Sequence, residues 1–352
     1  MSCKIALLLS GGVDSTVAGY LLKKAGFEVH AFFLKMKPRD REFDDWREAE
    51  GKAVLSARDL KIPFHSIDLR EDFTREVVYA SVHEISLGYT PNPCIFCNSQ
   101  IKFGVFWKKV ASLGFDLMAT GHYARIIQTG KNINVYKGKD IAKDQSYFLY
   151  GINKNILPFV KLPLGELTKQ EVKKIAIAKI NKRFEKTSES QGICFLSGAK
   201  YIEFLKKSLP LKKGKVVNEG GKIVGIHPGT WFFTEGQKTG LRDMKYHRGK
   251  SYVVKKDIKK NLLTISGNPG ASNFQVKKFK LKKLSFFEKP LKKSFNISLK
   301  TRYGEKEVAG KIKITNSNEA DIVLEESIFH IAPGQSVVFY NGEKMLGGGV
   351  KK

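Results

Sequence analysis

The stretch Ile5-Ala6-Leu7-Leu8-Leu9-Ser10-Gly11-Gly12-Val13-Asp14-Ser15 decides the fold. The apolar run from Ile5 to Leu9 reads as a short buried strand. A Ser-Gly-Gly turn follows, and Thr16–Lys24 then carries Val17, Leu21 and Leu22 at helical spacing. The turn therefore joins the C-terminal end of a strand to the N-terminus of a helix. Gly11 and Gly12 are able to take positive φ and let a ligand approach the backbone. The loop N–H groups and the positive end of the helix dipole then face an anion. The hydroxyls of Ser10 and Ser15 add donors. The physics gives a phosphate cradle. The plain alternative is a tight strand–helix turn capped by Ser or Asp.

The flanking sequence gives that turn a scaffold. Glu28–Leu34 reads as a second buried strand. Trp46–Leu60 is helical, with Ala49, Ala53 and Ala57 four residues apart, and Phe64–Asp68 is a third strand. Strand–helix–strand–helix–strand implies an α/β fold, a doubly wound parallel sheet with right-handed crossovers. Ligands bind such sheets beyond the strand C-termini, where the first turn lies. The helical segment Thr74–Leu87 leads into Thr90–Asn98, where Pro91 and Pro93 predict a shaped loop rather than a helix. Ile101–Leu113 is a helix, and Asp116–Thr120 is a strand ending in Gly121-His122-Tyr123. Ile133–Tyr136 looks like one strand of a hairpin. Thr168–Ile180 is a helix, with Thr168 as N-cap and Glu171 three residues on. From Lys212 the texture changes to Gly, Lys and short apolar runs, which indicates two small β-rich domains. The predicted divisions are 1–200, 201–270 and 271–352, with Asn268-Pro269-Gly270 near the second boundary.

The 352 residues carry a net charge of +28. From Tyr201 onward there are 31 Lys and Arg against 13 Asp and Glu; the first 200 residues hold 31 against 21. Such a surplus favours a polyanionic partner, nucleic acid above all. The other source of that charge is a Lys-rich surface throughout. Four cysteines, Cys3, Cys94, Cys97 and Cys194, are too few for a disulfide scaffold. No secretory or transit pattern opens the chain, and no apolar run reaches membrane-span length. A cytoplasmic location with no membrane partner is the expectation.

The loop is neither a Walker loop, since no Lys follows the glycines, nor a dinucleotide fingerprint. Ser-Gly-Gly-Val-Asp-Ser instead resembles the pyrophosphate loop of the ATP pyrophosphatase superfamily, which cleaves ATP between the α and β phosphates and adenylates a carbonyl oxygen. Cys94-x-x-Cys97 alone is compatible with a zinc half-site, buried thiols or a redox pair. With Cys194 and the cradle, it suggests sulfur chemistry.

Taken in order, Ser10–Ser15, Thr90–Asn98 with Ile101-Lys102-Phe103, Ala119–Tyr123, Lys143–Leu149, Gly192–Phe195, Arg302-Tyr303 and Pro333-Gly334-Gln335 resemble the bacterial tRNA-specific 2-thiouridylases over essentially the whole chain. That resemblance implies ATP-dependent 2-thiolation of the wobble uridine in a tRNA anticodon. It implies ATP binding at Leu8, Leu9, Ser10, Gly11, Gly12, Val13, Asp14, Ser15, Leu34 and Gly121. Cys97 would be the nucleophile and Cys194 the persulfide carrier, with a disulfide between them between turnovers. Asn92, Pro93 and Cys94 would touch the target base. His122, Lys143, Asp144, Gln145, Arg302, Tyr303 and Gln335 would contact tRNA, with 271–352 as the tRNA-binding domain. Mg²⁺, a hard cation, would bridge the phosphates, with Asp14 organising it. A sulfur-donor protein would load the persulfide.

One residue departs from the family pattern. Many members have Asp where this chain has Cys94. Cys94, Cys97 and Cys194 would also suit three irons of a [4Fe–4S] cluster with the fourth open for sulfur. The alternatives are therefore a cluster-dependent tRNA thiolase, another pyrophosphate-loop ligase or amidotransferase, an RNA-binding protein on a relic nucleotide fold, or an iron–sulfur redox protein.

Overall fold

The computed structural model describes residues 2–36, 46–186, 199–239, 251–267 and 274–352, with backbone alone at 199–202 and 239. The predicted loop Arg39–Trp46 falls almost wholly outside them, as do Cys194 and the predicted boundary Asn268-Pro269-Gly270. The chain forms two compact units: Met1–Val78 with Pro93–Phe195 and Tyr340–Leu346, and Tyr79–Asn92 with Leu196–Phe339 and Gly347–Lys352.

The first unit is built on a parallel sheet of strands β1 (Lys4–Leu8), β2 (Glu28–Lys35), β3 (Phe64–Asp68), β4 (Leu117–Ala119) and, after a hairpin of β5 (Ala124–Thr129) and β6 (Asn132–Lys137), β7 (Val160–Lys161). Their order is β3-β2-β1-β4-β7. After β1 the chain winds outward to β3, then returns to lay β4 on the other side of β1. The switch point of the sheet therefore lies between β1 and β4, where an open α/β sheet opens its binding crevice. Helices α1 (Val13–Lys24) and α2 (Trp46–Leu60) cover one face. Their Val17, Ala18, Leu22, Ala53 and Ala57 bury against Ile5, Leu7 and Leu9 of the first strand and its exit. The alanines of α2 allow the close approach that the sequence spacing required.

Two local expectations are corrected. The helix after the loop starts at Val13, with Gly12 as its N-cap, so Val13, Asp14 and Ser15 form its first turn. Pro93 does not exclude a helix. Pro93–Phe96 is helical, and wider π-helical turns follow over Cys97–Phe106. A proline in the first turn donates nothing that the turn needs, and its fixed φ favours the start.

The second unit is β-rich. A five-stranded sheet, ordered β10-β11-β12-β8-β9, contains β8 (Gly214–Asn218), β9 (Ile223–His227), β10 (Lys238–Thr239), β11 (Ser251–Asp257) and β12 (Leu262–Ser266). It closes over Val216, Val224, Val253, Leu263 and Ile265. The helices Ala80–Ser86 and Ala199–Ser208 meet through Ile85, Leu205 and Leu209 with Trp231 and Phe232. The strands β13 (Gln275–Phe286), β14 (Ser294–Lys300), β15 (Val308–Ile314), β16 (Ala320–Phe329), β17 (Ser336–Asn341) and β18 (Lys344–Lys351) run in the order β13-β16-β15-β14-β17-β18. Pairing of β13 with β18, from Leu281 with Lys351 to Phe286 with Gly347, closes them into a barrel. Alternate residues Phe279 and Leu281, Ile297 and Leu299, and Ile322 and Leu324 fill its interior.

The loop glycines give the first prediction. Gly11 has φ +80, and a Cβ there would run into the backbone of Lys52 and Ala53 in α2. Gly12 has φ −77, and its nearest neighbour would be the Ser10 hydroxyl at 3.6 Å. Gly11→Ala is expected to cost about 2 kcal/mol or more, and Gly12→Ala less than about 1 kcal/mol. Denaturant unfolding of the two variants checks that order.

Candidate phosphate site and RNA-facing cluster

The loop between β1 and α1 is closed by its own polar groups. The Ser10 N–H donates to the Ser15 Oγ at 3.2 Å, and the Ser15 and Thr16 hydroxyls donate to the Gly12 carbonyl at 3.2 and 2.8 Å. The Ser15 hydroxyl hydrogen is thus used inside the loop. The loop's glycines leave its backbone bare. Gly121, just past β4, comes so close that a Cβ would lie 2.9 Å from the Ser15 nitrogen and 3.0 Å from the Asp14 carbonyl carbon. Two strand ends thus bring Ser10–Ser15 and Gly121 together at the switch point. Bare N–H groups at the start of the 12-residue α1 suit a phosphate. The open side of Gly12 leaves room for one, so the residues present fit a nucleotide. Leu34 is buried near the C-terminal end of β2, next to β1.

Asp14 is the polar centre of the site. Its carboxylate accepts from the Tyr123 hydroxyl at 2.7 Å and from the Lys169 ammonium at 2.6 and 2.8 Å. A carboxylate on a phosphate loop is a hard oxygen donor of the type Mg²⁺ prefers. Lys169 is held on both sides. Its N–H donates to Asp140 at 2.9 Å, and it follows the N-cap Thr168, whose hydroxyl and N–H engage Glu171 in a capping box. Sequence reasoning identified the cap but passed over Lys169. The signal available was its place as the first helical residue after the cap.

The segments after β4 interlock. Gln145 accepts from the Tyr123 N–H at 3.0 Å through its side chain and donates its own N–H to the Tyr123 carbonyl at 2.8 Å. Asp144 is buried and accepts from the Gly138 and Ser146 N–H groups at 3.1 and 3.0 Å. Its carboxylate brackets the turn from inside. The Lys143 N–H donates to the Asp140 carbonyl at 3.0 Å. The Nδ1 of His122 lies 2.7 Å from the Thr120 hydroxyl, and its ring packs against Phe103. Burial, then the charge of Lys102, pushes the His122 imidazole well below its ordinary pKa. Cys94 is half-buried and Cys97 buried, on the helical run from Pro93. The Asn98 amide, beside Cys97, donates to the Phe148 carbonyl at 3.3 Å. The thiol of Cys3 is pushed up by burial and by Asp116, the opposite of what a sulfur carrier needs.

In the second unit, three predicted RNA-contact segments converge. The Thr90 N–H donates to the Pro333 carbonyl at 2.7 Å, which sets the approach to Asn92 beside the turn before Gln335. The Gln335 side chain accepts from the Ala332 N–H at 2.8 Å. Arg302 donates to the His330 carbonyl at 2.9 Å, and the His330 ring lies 3.0 Å from Glu235. Tyr303 is 43% exposed.

With this geometry in view, the comparisons are specific. The tRNA methyl transferase HUP domain model matches residues 3–198, the tRNA methyl transferase PRC-barrel domain model 202–267 and the aminomethyltransferase beta-barrel domain model 276–350. The tRNA-specific 2-thiouridylase MnmA of Chlamydia pneumoniae is 36% identical over 99% of this chain and 97% of its own. The chain belongs to the tRNA-specific 2-thiouridylase family. The MnmA of Lactobacillus helveticus is 35% identical over 98% of this chain and 94% of its own. Among solved structures, the U34-tRNA thiolase NcsA from Methanococcus maripaludis with its [4Fe-4S] cluster superposes with a TM-score of 0.36 at 19% identity, over 58% of this chain and 65% of that one. That likeness is too loose to bear on the route of sulfur in this family member. Among the described residues no helix is long and apolar enough to cross a membrane.

The His122 environment gives a second prediction. The unfolded chain binds a proton near the ordinary His value of about 6.5, while the folded ring resists it. Stability is therefore lost as pH falls through that value. The His122 ring proton resonance is expected to stay flat from about pH 8 to about pH 6. A normal titration there, followed by NMR, would contradict the assignment of a neutral imidazole.

Proposed function

We propose that the chain replaces the C2 oxygen of the wobble uridine of tRNA with sulfur. The full-length likeness to 2-thiouridylases carries this reading, and a phosphate loop with a carboxylate at the switch point supports it. Residues 1–200 act as the catalytic domain, 201–270 as a small central domain and 271–352 as the tRNA-binding domain. Leu8–Ser15, Leu34 and Gly121 hold ATP. Bound with Mg²⁺, it supplies the adenylyl group that turns the C2 oxygen into a leaving group. Asp14 orients the metal. Lys169 and Tyr123 bind its carboxylate and hold it in place. Lys169 is then within a side-chain swing of incoming phosphates, where its charge offsets theirs.

Anticodon bases are single-stranded and able to leave the stack. Asn92, Pro93 and Cys94 receive the target base, while His122, Lys143, Asp144 and Gln145, with Arg302, Tyr303 and Gln335, seat the tRNA. Neutral His122 acts through hydrogen bonding rather than charge. Buried Asp144 acts by fixing the loop that carries Lys143 and Gln145. The terminal sulfur of a persulfide on Cys194 attacks C2, and the C2–O bond breaks as AMP leaves. The Cys97 thiolate then attacks the Cys194 sulfur. Breaking the persulfide bond leaves the electron pair on the uridine sulfur and forms a Cys97–Cys194 disulfide. A thiol reductant reopens the disulfide, and a sulfur-donor protein reloads Cys194. The location is the cytoplasm.

A second reading keeps the adenylation but uses a [4Fe–4S] cluster. The observation that favours it is the spacing of Cys94 and Cys97 on one helical run, since residues three apart share a helix face.

Pyrophosphate release that depends on tRNA tests the adenylation half. Asp14→Ala and Lys169→Ala are each expected to lower it by about 100-fold or more, with tRNA affinity little changed. Full release in Asp14→Ala would overturn the loop assignment. Cys97→Ser and Cys194→Ser are expected to retain release and lose thiolation. Cys94 separates the sulfur routes. The relay predicts active Cys94→Asp and Cys94→Ala protein with a persulfide donor in air. The cluster predicts loss of both iron and activity in Cys94→Ala.

A further inference from the structure

The outward face of the C-terminal barrel carries an ordered array of lysines that the thiolation chemistry does not use. In β13, Lys278 and Lys280 flank buried Phe279, and in β15, Lys311 and Lys313 flank buried Ile312. The strand between them, β16, sets the register. Val323 pairs with both Lys278 and Lys311, and Asp321 with both Lys280 and Lys313. The four lysines are exposed and stand at the corners of a rectangle. Its sides are about 7 Å along a strand and about 10 Å across two strand spacings. They line an open depression of about 620 Å³ together with Phe279, Ser294, Asp321, Ile322 and Val323.

Among the described residues, Lys278, Lys311 and Lys313 form no ion pair. Among the described residues the only carboxylate within the rectangle is Asp321, which leaves a surplus of three positive charges. The hydrogen bond and charge of Lys352 hold the Glu319 carboxyl below its ordinary pKa, and the charge of Lys280 adds a smaller share. Like charges fixed this close repel, and a polyanion relieves the repulsion by releasing its own counterions.

The rest of the face narrows the kind of polyanion. Phe279 points into the barrel and is 7% exposed. The outward positions in the two rows are Lys, Val, Asp, Ser294 and Asn296. None of these offers a ring on which an unpaired base could stack, so the face lacks what a single-strand platform requires. It is suited to phosphates presented by a rigid helix, which fix register without reading sequence. We propose that this barrel face grips the phosphate backbone of a duplex RNA stem. This rests on the reading of the chain as a tRNA-modifying enzyme, and it assigns a place for a helical stem apart from the residues that handle the target base.

The test uses the full-length chain with Lys278, Lys280, Lys311 and Lys313 all changed to Gln. A control variant changes the exposed Lys289, Lys292, Lys293 and Lys306 to Gln. Melting and circular dichroism establish that both are folded. Binding is measured against salt for two probes, a short RNA duplex without a loop and an unmodified tRNA transcript. The proposal expects the slope of log K against log salt to fall by about 3 for the face variant with both probes. It expects the control variant to keep the wild-type slope. An unchanged slope in the face variant overturns the proposal, and so does an equal loss in the control, which would show general charge alone. Thiolation of the transcript by the wild type is scored separately. If the slope falls as expected but the wild type thiolates nothing, the stem-binding face stands and the thiolation reading fails. If the wild type thiolates and the slope does not move, the reverse holds.

Discussion

Three segments distant in sequence meet on the carboxylate of Asp14. α1 supplies the carboxylate, the turn after β4 supplies Tyr123, and the helix that starts at Lys169 supplies the ammonium. The geometry of the rest of the site follows from that meeting. Tyr123 is fixed in turn by Gln145, Lys169 by Asp140 and the Thr168–Glu171 cap, and Gly121 is pressed onto the backbone of Asp14 and Ser15. The Asp14–Lys169 ion pair is half-buried, its ammonium end more so than its carboxylate. Its importance here is positional: it keeps a hard oxygen donor and a cation together where phosphates arrive.

The sheet and its loop were legible because the evidence was local. Buried strands, paired glycines and alanines at helical spacing lie next to one another in the sequence, and the switch point follows from the order of crossovers. What was not legible depended on contacts between distant residues. Lys169 is one lysine in a Lys-rich chain until the fold brings it to Asp14. Asp144 reads as an RNA contact beside Lys143 and Gln145, yet its carboxylate is turned inward to three donors. The strand β18 contains Gly347-Gly348-Gly349, residues with no strand preference of their own. It is nevertheless a strand, because its partner β13 closes the barrel there and leaves no room for a Cβ at Gly347. Pro93 misled for a different reason: its effect on a helix changes sign between the interior and the first turn.

The second unit shows how composition becomes geometry. A surplus of lysine in the sequence names a polyanion but no surface. The barrel sorts its strands so that apolar residues alternate inward, and its charges therefore gather on outer faces at strand spacing. Independently, the hydrogen bond from Thr90 to Pro333 and that from Arg302 to His330 draw Asn92, Arg302 and Gln335 into one neighbourhood. The first is a backbone contact and holds whichever side chains later meet the RNA, whereas the second engages the Arg302 guanidinium itself.

The central claim is that sulfur is placed on a uridine of tRNA. The most direct measurement is mass spectrometry of nucleosides from unmodified tRNA incubated with the protein, Mg²⁺, ATP and a persulfide donor. The account predicts a uridine in which one oxygen has become sulfur, located at the wobble position by fragment mapping and absent without ATP. Unchanged uridine, or a uridine carrying a methyl group in place of that exchange, would contradict it.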